Sequence, residues 1–202
     1  MAGAAPDRVA ERRAALRERI VDAAAERVAE AGAEAIRARD LAAAAGCAVG
    51  ALYNALGDRN AILAAVNGRT FAAMGAAVEE RVAASGPDPL DRMVAMAVAY
   101  RDYARAHPRL WEALFDQALR FDDDVASHYR RQLSTVVDLI EGELARLHPS
   151  RPESDLSVLA RLLYSSVHGA VALSLEGRFV AVPEDRLDEM LSLLVRNVAS
   201  RP

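Results

Sequence analysis

The sequence lacks lysine altogether, has one cysteine among its 202 residues and contains few aromatic side chains. All 25 basic residues are arginines, which we attribute, with the excess of alanine, to codon bias in a GC-rich genome. Because Cys47 is alone, no internal disulfide can form, and a buried thiol is the simplest role for it. The length suffices for a hydrophobic core without support from disulfides or metals.

No basic-then-apolar leader opens the sequence, since residues 7–19 are rich in charge. The most apolar stretch, residues 156–175, is interrupted by Arg161 and His168, so it fits a buried helix better than a membrane span. These observations predict a cytoplasmic protein without a membrane partner.

Signatures of catalysis are also missing. No glutamate stands three residues before a histidine, and neither a Gly-rich phosphate loop nor a Gly-x-Ser-x-Gly elbow is present. We therefore expect no enzyme activity, no cofactor and no metal. The acidic run Asp122–Asp124 fits the start of a helix, where carboxylates complement the helix dipole.

Helical periodicity recurs throughout, and no stretch alternates like a β-strand. We predict an all-α protein with a three-helix head at residues 1–57 and a six-helix C-terminal bundle at 58–202. The first helix ends at Gly32, and Asp58 caps a long fourth helix that runs to about Ala84. The other predicted helices span residues 38–45, 49–56, 89–106, 108–119, 123–147, 154–177 and 184–199.

The formal charge of −4 is unevenly distributed. Nine arginines and nine acidic residues balance within residues 1–66, so the rest of the chain carries the entire negative excess. Since local clusters matter more for phosphate binding than the overall charge, the N-terminal third remains compatible with a nucleic-acid partner.

Residues 38–56 have the pattern of a helix-turn-helix unit. Ala42 is small where two helices would cross, and Gly46 can take the left-handed conformation that a sharp turn requires. Helical spacing points Leu41, Val49, Leu52 and Leu56 inward. It leaves Gly50, Ala51, Tyr53 and Asn54 free to enter a major groove. On spacing alone, two short helices that merely meet at a glycine remain an equal alternative.

Residues 36–66 resemble the TetR family of transcription regulators. The resemblance covers the turn, the Leu52-Tyr53 pair, the Asp58-Arg59 pair and the apolar run that follows. It implies that Arg39 reaches bases or phosphate, and that Tyr53 and Arg59 contact the DNA backbone. The DNA-binding set that we predict is Arg37, Arg39, Val49, Gly50, Ala51, Tyr53, Asn54 and Arg59.

Three alanines depart from the family pattern. Ala51 stands where a threonine or serine is usual, Ala55 where a histidine or basic residue is frequent, and Ala48 replaces the usual cap of the recognition helix. We therefore expect few hydrogen bonds to bases and a larger contribution from DNA shape. An adaptor or ligand-binding protein of the same fold that has lost operator binding is the alternative.

The first predicted helix begins with an arginine run comprising Arg8, Arg12, Arg13, Arg17 and Arg19. Such a run either lies along phosphates or in a minor groove, or forms a solvated face. In the second case, the arginines would pair with Glu11, Glu18 and Asp22 one helical turn away.

Residues 100–121 resemble the middle of the TetR regulatory domain. Residues 163–178 are similar to the subgroup marked by Trp-x-x-x-His-Gly, with Tyr164 in place of the tryptophan. For a small, mostly apolar ligand we predict a wall of apolar side chains with a few polar groups, although core packing is an alternative for each. The predicted set is Met93, Met96, Tyr100, Tyr103, Trp111, Leu114, Phe115, Leu133, Tyr164 and His168.

Two apolar stripes on the last two helices predict a homodimer interface of four helices, with packing inside one subunit as the alternative. The predicted set is Leu162, Ser166, Gly169, Leu173, Leu187, Met190, Leu191, Leu194 and Val198. The resemblance implies a dimer that binds a palindromic operator as a repressor and is released by its effector.

Overall fold

The computed structural model describes residues 4–115 and 124–200, with side chains at 8–115 and 135–200. Within these ranges every regular element is a helix, and no β-strand occurs. The α-helices are α1 (Ala4–Ala31), α2 (Ala38–Ala44), α3 (Val49–Leu56), α4 (Arg59–Ala84), α5 (Pro89–Ala106), α6 (Pro108–Ala113), α7 (Asp124–Leu147), α8 (Glu153–Leu175) and α9 (Leu187–Ala199). Single 3-10 turns lie at Ala33–Ala35 and Glu184–Arg186.

Short polar and glycine signals set the helix ends as the sequence predicts. Gly32 follows α1 with φ +78°, a conformation that glycine adopts without steric cost. The Asp58 carboxylate accepts a hydrogen bond of 2.8 Å from the Ala61 amide and caps α4. The Asp88 carboxylate accepts from the amides of Leu90 and Asp91 at the start of α5.

Three helix boundaries differ from the predictions by more than one residue. The α6 helix ends at Ala113 rather than continuing as one helix toward residue 119, and residues 116–119 lie outside the described part. The α8 helix ends at Leu175, two residues early. The α9 helix begins at Leu187 because the acidic segment after Pro183 forms a 3-10 turn.

The chain forms two compact units. The first comprises residues 1–71 and 109–129, and the second residues 72–108 and 130–202, so the division falls within α4. The predicted boundary at residues 57/58 divides the chain by function rather than by packing, and it stays a prediction.

The first unit has one hydrophobic cluster built on α1, α2, α3 and the start of α4. It also includes Ala113 of α6, and Leu110 packs against it. Ile20, Leu41, Leu52 and Leu63 are completely buried there. Burial of each such side chain contributes about 1.5–3 kcal/mol to stability.

In the second unit, α9 packs against α5 and α8. The α9 side chains that face this bundle are Leu187, Leu191, Val195 and Ala199, which are all buried. Arg101 of α5 is buried as well and forms an ion pair with Asp188 of α9 at 2.5 Å.

Candidate functional sites: a DNA-reading head and an aromatic cluster

The turn between α2 and α3 has the geometry that the sequence predicts. Gly46 takes φ +65°, and the Cys47 amide then donates a hydrogen bond of 2.9 Å to the Ala42 carbonyl. Ala42 is buried, as expected where two helices approach closely. Leu41 of α2 and Leu52 of α3 are both buried in the hydrophobic cluster of the first unit, and this packing sets the orientation of α3.

The outer face of α3 carries the predicted reading residues. Gly50, Tyr53 and Asn54 are exposed, while Val49 and Ala51 are half-buried. Tyr53 is 48% exposed despite its large apolar ring. Tyrosine hydroxyls and asparagine amides can bind phosphates and base edges, respectively, when they project from such a helix.

Two of the three departures from the family pattern have structural explanations or consequences. Ala48 forms no side-chain cap on α3, so the amides of the first turn lack that partner. Ala55 is buried in the head. The alanine at this position therefore removes no polar group from the exposed face of α3. Ala51 remains the one alanine of the three that lies on this face, half-buried.

The three predicted arginines differ in their surroundings. Arg37 and Arg39 are exposed at the start of α2. Arg59 instead donates a hydrogen bond of 2.8 Å to the Ala33 carbonyl and pairs with Glu34 at 3.1 Å. Binding a phosphate would therefore require Arg59 to share or exchange these partners.

Two arginines of α1 that are not in the predicted DNA-binding set contact the α2–α3 unit. The Arg13 guanidinium donates a hydrogen bond of 2.8 Å to the Asn54 carbonyl of α3. Arg19 donates one of 3.2 Å to the Ala45 carbonyl at the end of α2. The arginine run was the only sequence signal for these contacts, and it did not reveal which arginines meet backbone carbonyls.

A buried link joins α4 to α6 within the first unit. The Asn67 side chain donates a hydrogen bond of 2.9 Å to the Ala113 carbonyl. Trp111 and Leu114, two predicted ligand-binding residues, are buried in this unit, and the Trp111 and Phe115 rings meet edge to face at 5.2 Å. Nothing in the sequence singled out Asn67.

An aromatic and polar cluster joins α5 to α8 in the second unit. The Tyr100 hydroxyl lies 2.8 Å from His168 Nδ1, and the rings of Tyr164 and His168 stack with centroids 6.0 Å apart. Burial lowers the pKa of His168, because the charged imidazolium is disfavoured away from water. Burial raises the pKa of Tyr164 to about 12, although a hydrogen bond with Tyr100 opposes the shift.

The remaining predicted ligand-binding residues are dispersed. Met93 and Met96 are buried in α5. Tyr103 is half-buried and lies 4.7 Å from the His107 ring, and burial raises its pKa. The side chain of Leu133 lies outside the described residues. Because the predicted set is divided between the two units, a single cavity lined by all of it stays a prediction.

The predicted interface residues separate into two groups. Leu187 and Leu191 are buried inside the single chain, whereas Leu162 and Leu173 of α8 are exposed. The others are half-buried, namely Ser166, Gly169, Met190, Leu194 and Val198. Leu193 of α9, which was not predicted, is 53% exposed.

One face of α8 is buried and the other is exposed, so the predicted buried helix is buried on one side only in the single chain. By length and hydropathy alone, α4 and α8 both qualify as possible membrane spans, a test that soluble core helices also pass. Among the described residues, no three metal-binding side chains form a group. Asp122 and Asp123 lie outside the described part.

Comparisons with known proteins assign the family. A family model described as "Tetracyclin repressor-like, C-terminal domain" matches residues 93–198. No curated protein sequence matches the chain.

Solved structures share the fold along nearly the whole chain. A protein of unknown function from Rhodococcus sp. RHA1 has 24% identity and a TM-score of 0.72, with 91% of this chain and 95% of that chain covered. The regulator FadR from Bacillus subtilis, solved with stearoyl-CoA, has 14% identity and a TM-score of 0.69 at coverages of 91% and 97%. AibR, solved with isovaleryl coenzyme A and operator DNA, has 19% identity and a TM-score of 0.63 at coverages of 93% and 100%. With a family model that matches more than half of its length, the chain belongs to the TetR family of transcriptional regulators.

Proposed function

We propose that this protein is a homodimeric, cytoplasmic repressor that binds a palindromic operator and is released from it by a small, mostly apolar effector. The exposed face of α3, held on a buried hydrophobic base behind the Gly46 turn, is the observation that supports DNA binding most directly. Exposed Arg37 and Arg39 beside it add the charge that phosphates attract.

The dimer is supported by the open face of α8. Leu162 is 51% exposed and Leu173 is 38% exposed, and Leu193 of α9 adds a third uncovered leucine. A second copy would remove this surface from water and place two heads at the spacing of a palindrome. This explanation also accounts for the apolarity of α8 without a membrane.

Effector binding is supported by the cluster of Tyr100, Tyr164 and His168. Aromatic rings with a few converging polar atoms suit a ligand that is mostly apolar and has one polar end. FadR and AibR were solved with stearoyl-CoA and isovaleryl coenzyme A, so acyl-coenzyme A thioesters are the first effectors to test. Release would follow from a coupling free energy between the effector site and the head.

The deciding experiment is fluorescence-polarisation binding of the protein to labelled DNA from upstream of its own gene, across a salt series. We expect nanomolar, sequence-dependent binding that weakens steeply with salt, and dissociation when a suitable acyl-coenzyme A is added. If that DNA does not bind, duplexes selected from a random pool follow. Failure of both would contradict the repressor and favour an adaptor that no longer binds DNA.

A further inference from the structure

The N-terminal arginines of α1 are not neutralised as a solvated helix face would be. Of the three carboxylates expected to pair with them, Glu18 and Asp22 form ion pairs with Arg69 of α4 instead, and Glu11 forms no ion pair among the described side chains. Among the side chains at 8–115 and 135–200, no carboxylate forms an ion pair with Arg8, Arg12 or Arg17.

The same segment extends past the part of α1 that is packed in the head. Val9, Arg13, Leu16 and Ile20 follow one another at helical spacing and so share one face of the helix. Ile20 is completely buried and Leu16 packs against the hydrophobic cluster, whereas Val9 is 67% exposed. Residues 8–15 of α1 are therefore all exposed to solvent.

Arg13 fixes where this uncovered segment lies. Its guanidinium donates a hydrogen bond of 2.8 Å to the carbonyl of Asn54, near the C-terminal end of α3. The exposed arginines Arg8, Arg12 and Arg17 lie within five residues of Arg13 on α1, the residue that contacts the backbone of α3. Between residues 8 and 17 the chain has four arginines and one acidic residue, Glu11.

We propose that Arg8, Arg12 and Arg17 bind the phosphates of duplex DNA flanking the half-site that α3 occupies. This inference rests on the proposed operator binding and adds a second contact surface to it. Arginine suits the role because its planar fork can bind two phosphate oxygens at once and always carries its charge. Phosphate contacts do not distinguish one base sequence from another. This surface therefore contributes affinity and register, while α3 contributes specificity.

The test compares the wild type with the triple variant R8A/R12A/R17A on a selected operator duplex. Each phosphate contact contributes about 0.9 to the slope of log K against log salt, so removing six arginines from a dimer should lower the slope by about 5. The matched control R105A/R178A/R186A removes as many charges from exposed sites in the second unit. It should leave the slope unchanged.

A second arm varies the DNA rather than the protein. Shortening the duplex on both flanks should reduce the affinity and salt slope of the wild type to those of the triple variant. The triple variant should bind long and short duplexes equally well. Circular dichroism would verify that its helices are intact, as expected because alanine favours helix.

The possible failures are distinguishable. If the wild type binds the operator and the triple variant binds with the same affinity and slope, the flanking contact is wrong while the proposed function stands. If flank length changes both proteins equally, other residues make the contact and the inference is also wrong. If the wild type binds no duplex at all, the proposed function fails and this inference fails with it.

Discussion

The Asn67 amide nitrogen on α4 lies 2.9 Å from the carbonyl oxygen of Ala113 on α6 and donates a hydrogen bond to it. Asn67 is only 1% exposed, and its Oδ1 has no hydrogen-bond partner among the described residues. A buried oxygen without a partner is costly, whereas the Asn67 amide nitrogen satisfies the Ala113 carbonyl. The link holds the end of α6 to the helix that both compact units share.

Replacing Asn67 by alanine should lower the free energy of unfolding by about 2 kcal/mol. The Ala113 carbonyl would lose its donor inside the protein, and a small cavity would remain. Urea denaturation followed by circular dichroism measures the change. Asn60→Ala, on the exposed surface of the same helix, is the control and should have almost no effect. Equal changes in the two variants would contradict a structural role for the Asn67 bond.

Replacing Gly46 by alanine should destabilise the protein by about 1–2 kcal/mol. A Cβ at this site meets nothing within 4 Å, so the cost comes entirely from the backbone angle φ of +65°. Gly50→Ala is the matched comparison, since that glycine is helical and equally unobstructed. It should be neutral or stabilising by up to about 1 kcal/mol. Thermal unfolding of both variants measures the two changes, and an equal destabilisation of both would contradict the backbone argument.

On the reading face, Asn54→Ala and Tyr53→Phe should weaken DNA binding in different ways. Loss of the Asn54 amide should cost about 1–3 kcal/mol on the preferred operator and relax the preference at one base pair. Loss of the Tyr53 hydroxyl should weaken binding to all sequences by about 1 kcal/mol. Polarisation binding to operators with single base changes separates the two. A uniform loss from Asn54→Ala would contradict base contact by that residue.

Acidification should destabilise the second unit through His168. Because burial lowers its pKa, the unfolded chain binds a proton at higher pH than the folded one. The stability contribution is complete above the unfolded pKa of about 6.5 and is lost as the pH falls from there through the folded pKa. His168→Asn should remove this part of the pH dependence while keeping a polar partner for Tyr100. Urea unfolding between about pH 5 and pH 8 tests it, and parallel curves for the two proteins would contradict it.

Leu162→Glu should convert the dimer to a monomer. A carboxylate in the centre of an apolar interface is left without water or a partner. Sedimentation velocity measures the assembly, and operator affinity should fall together with the dimer population. Val9→Glu, an equally drastic change at an exposed valine of α1, should leave the oligomeric state unchanged. A dimer that survives Leu162→Glu would place the interface elsewhere.

Local signals predicted the helices well, because their causes lie within a few residues of each boundary. The Gly32 stop, the Gly46 turn and the Asp58 cap each act on the adjacent backbone, and the observed ends agree with them. Periodicity likewise identified Leu41 and Leu52 as buried.

The sequence does not show which element of the protein packs against each helix face. The i,i+4 spacing suggested that Glu18 and Asp22 would neutralise arginines of their own helix, yet Arg69 of α4, about 50 residues away, binds both. Similarly, the apolar stripe of α9 left open whether a second subunit or the same chain covers it, and Leu187 and Leu191 are buried within their own chain. A stripe shows that a surface must be covered, whereas the covering element depends on the tertiary arrangement.

The inclusion of α6 in the head's hydrophobic cluster bears on protein engineering. A fragment cut after residue 57 would lack Ile62, Leu63 and Val66 as well as Ala113, and would leave Leu52 and Ile20 with an incomplete core. The DNA-binding head therefore does not end at its third helix, and a fragment cut there cannot be moved to another protein with its core intact. Chimaeric regulators built from this protein should keep the first half of α4 together with α6, and exchange effector specificity through the remaining helices.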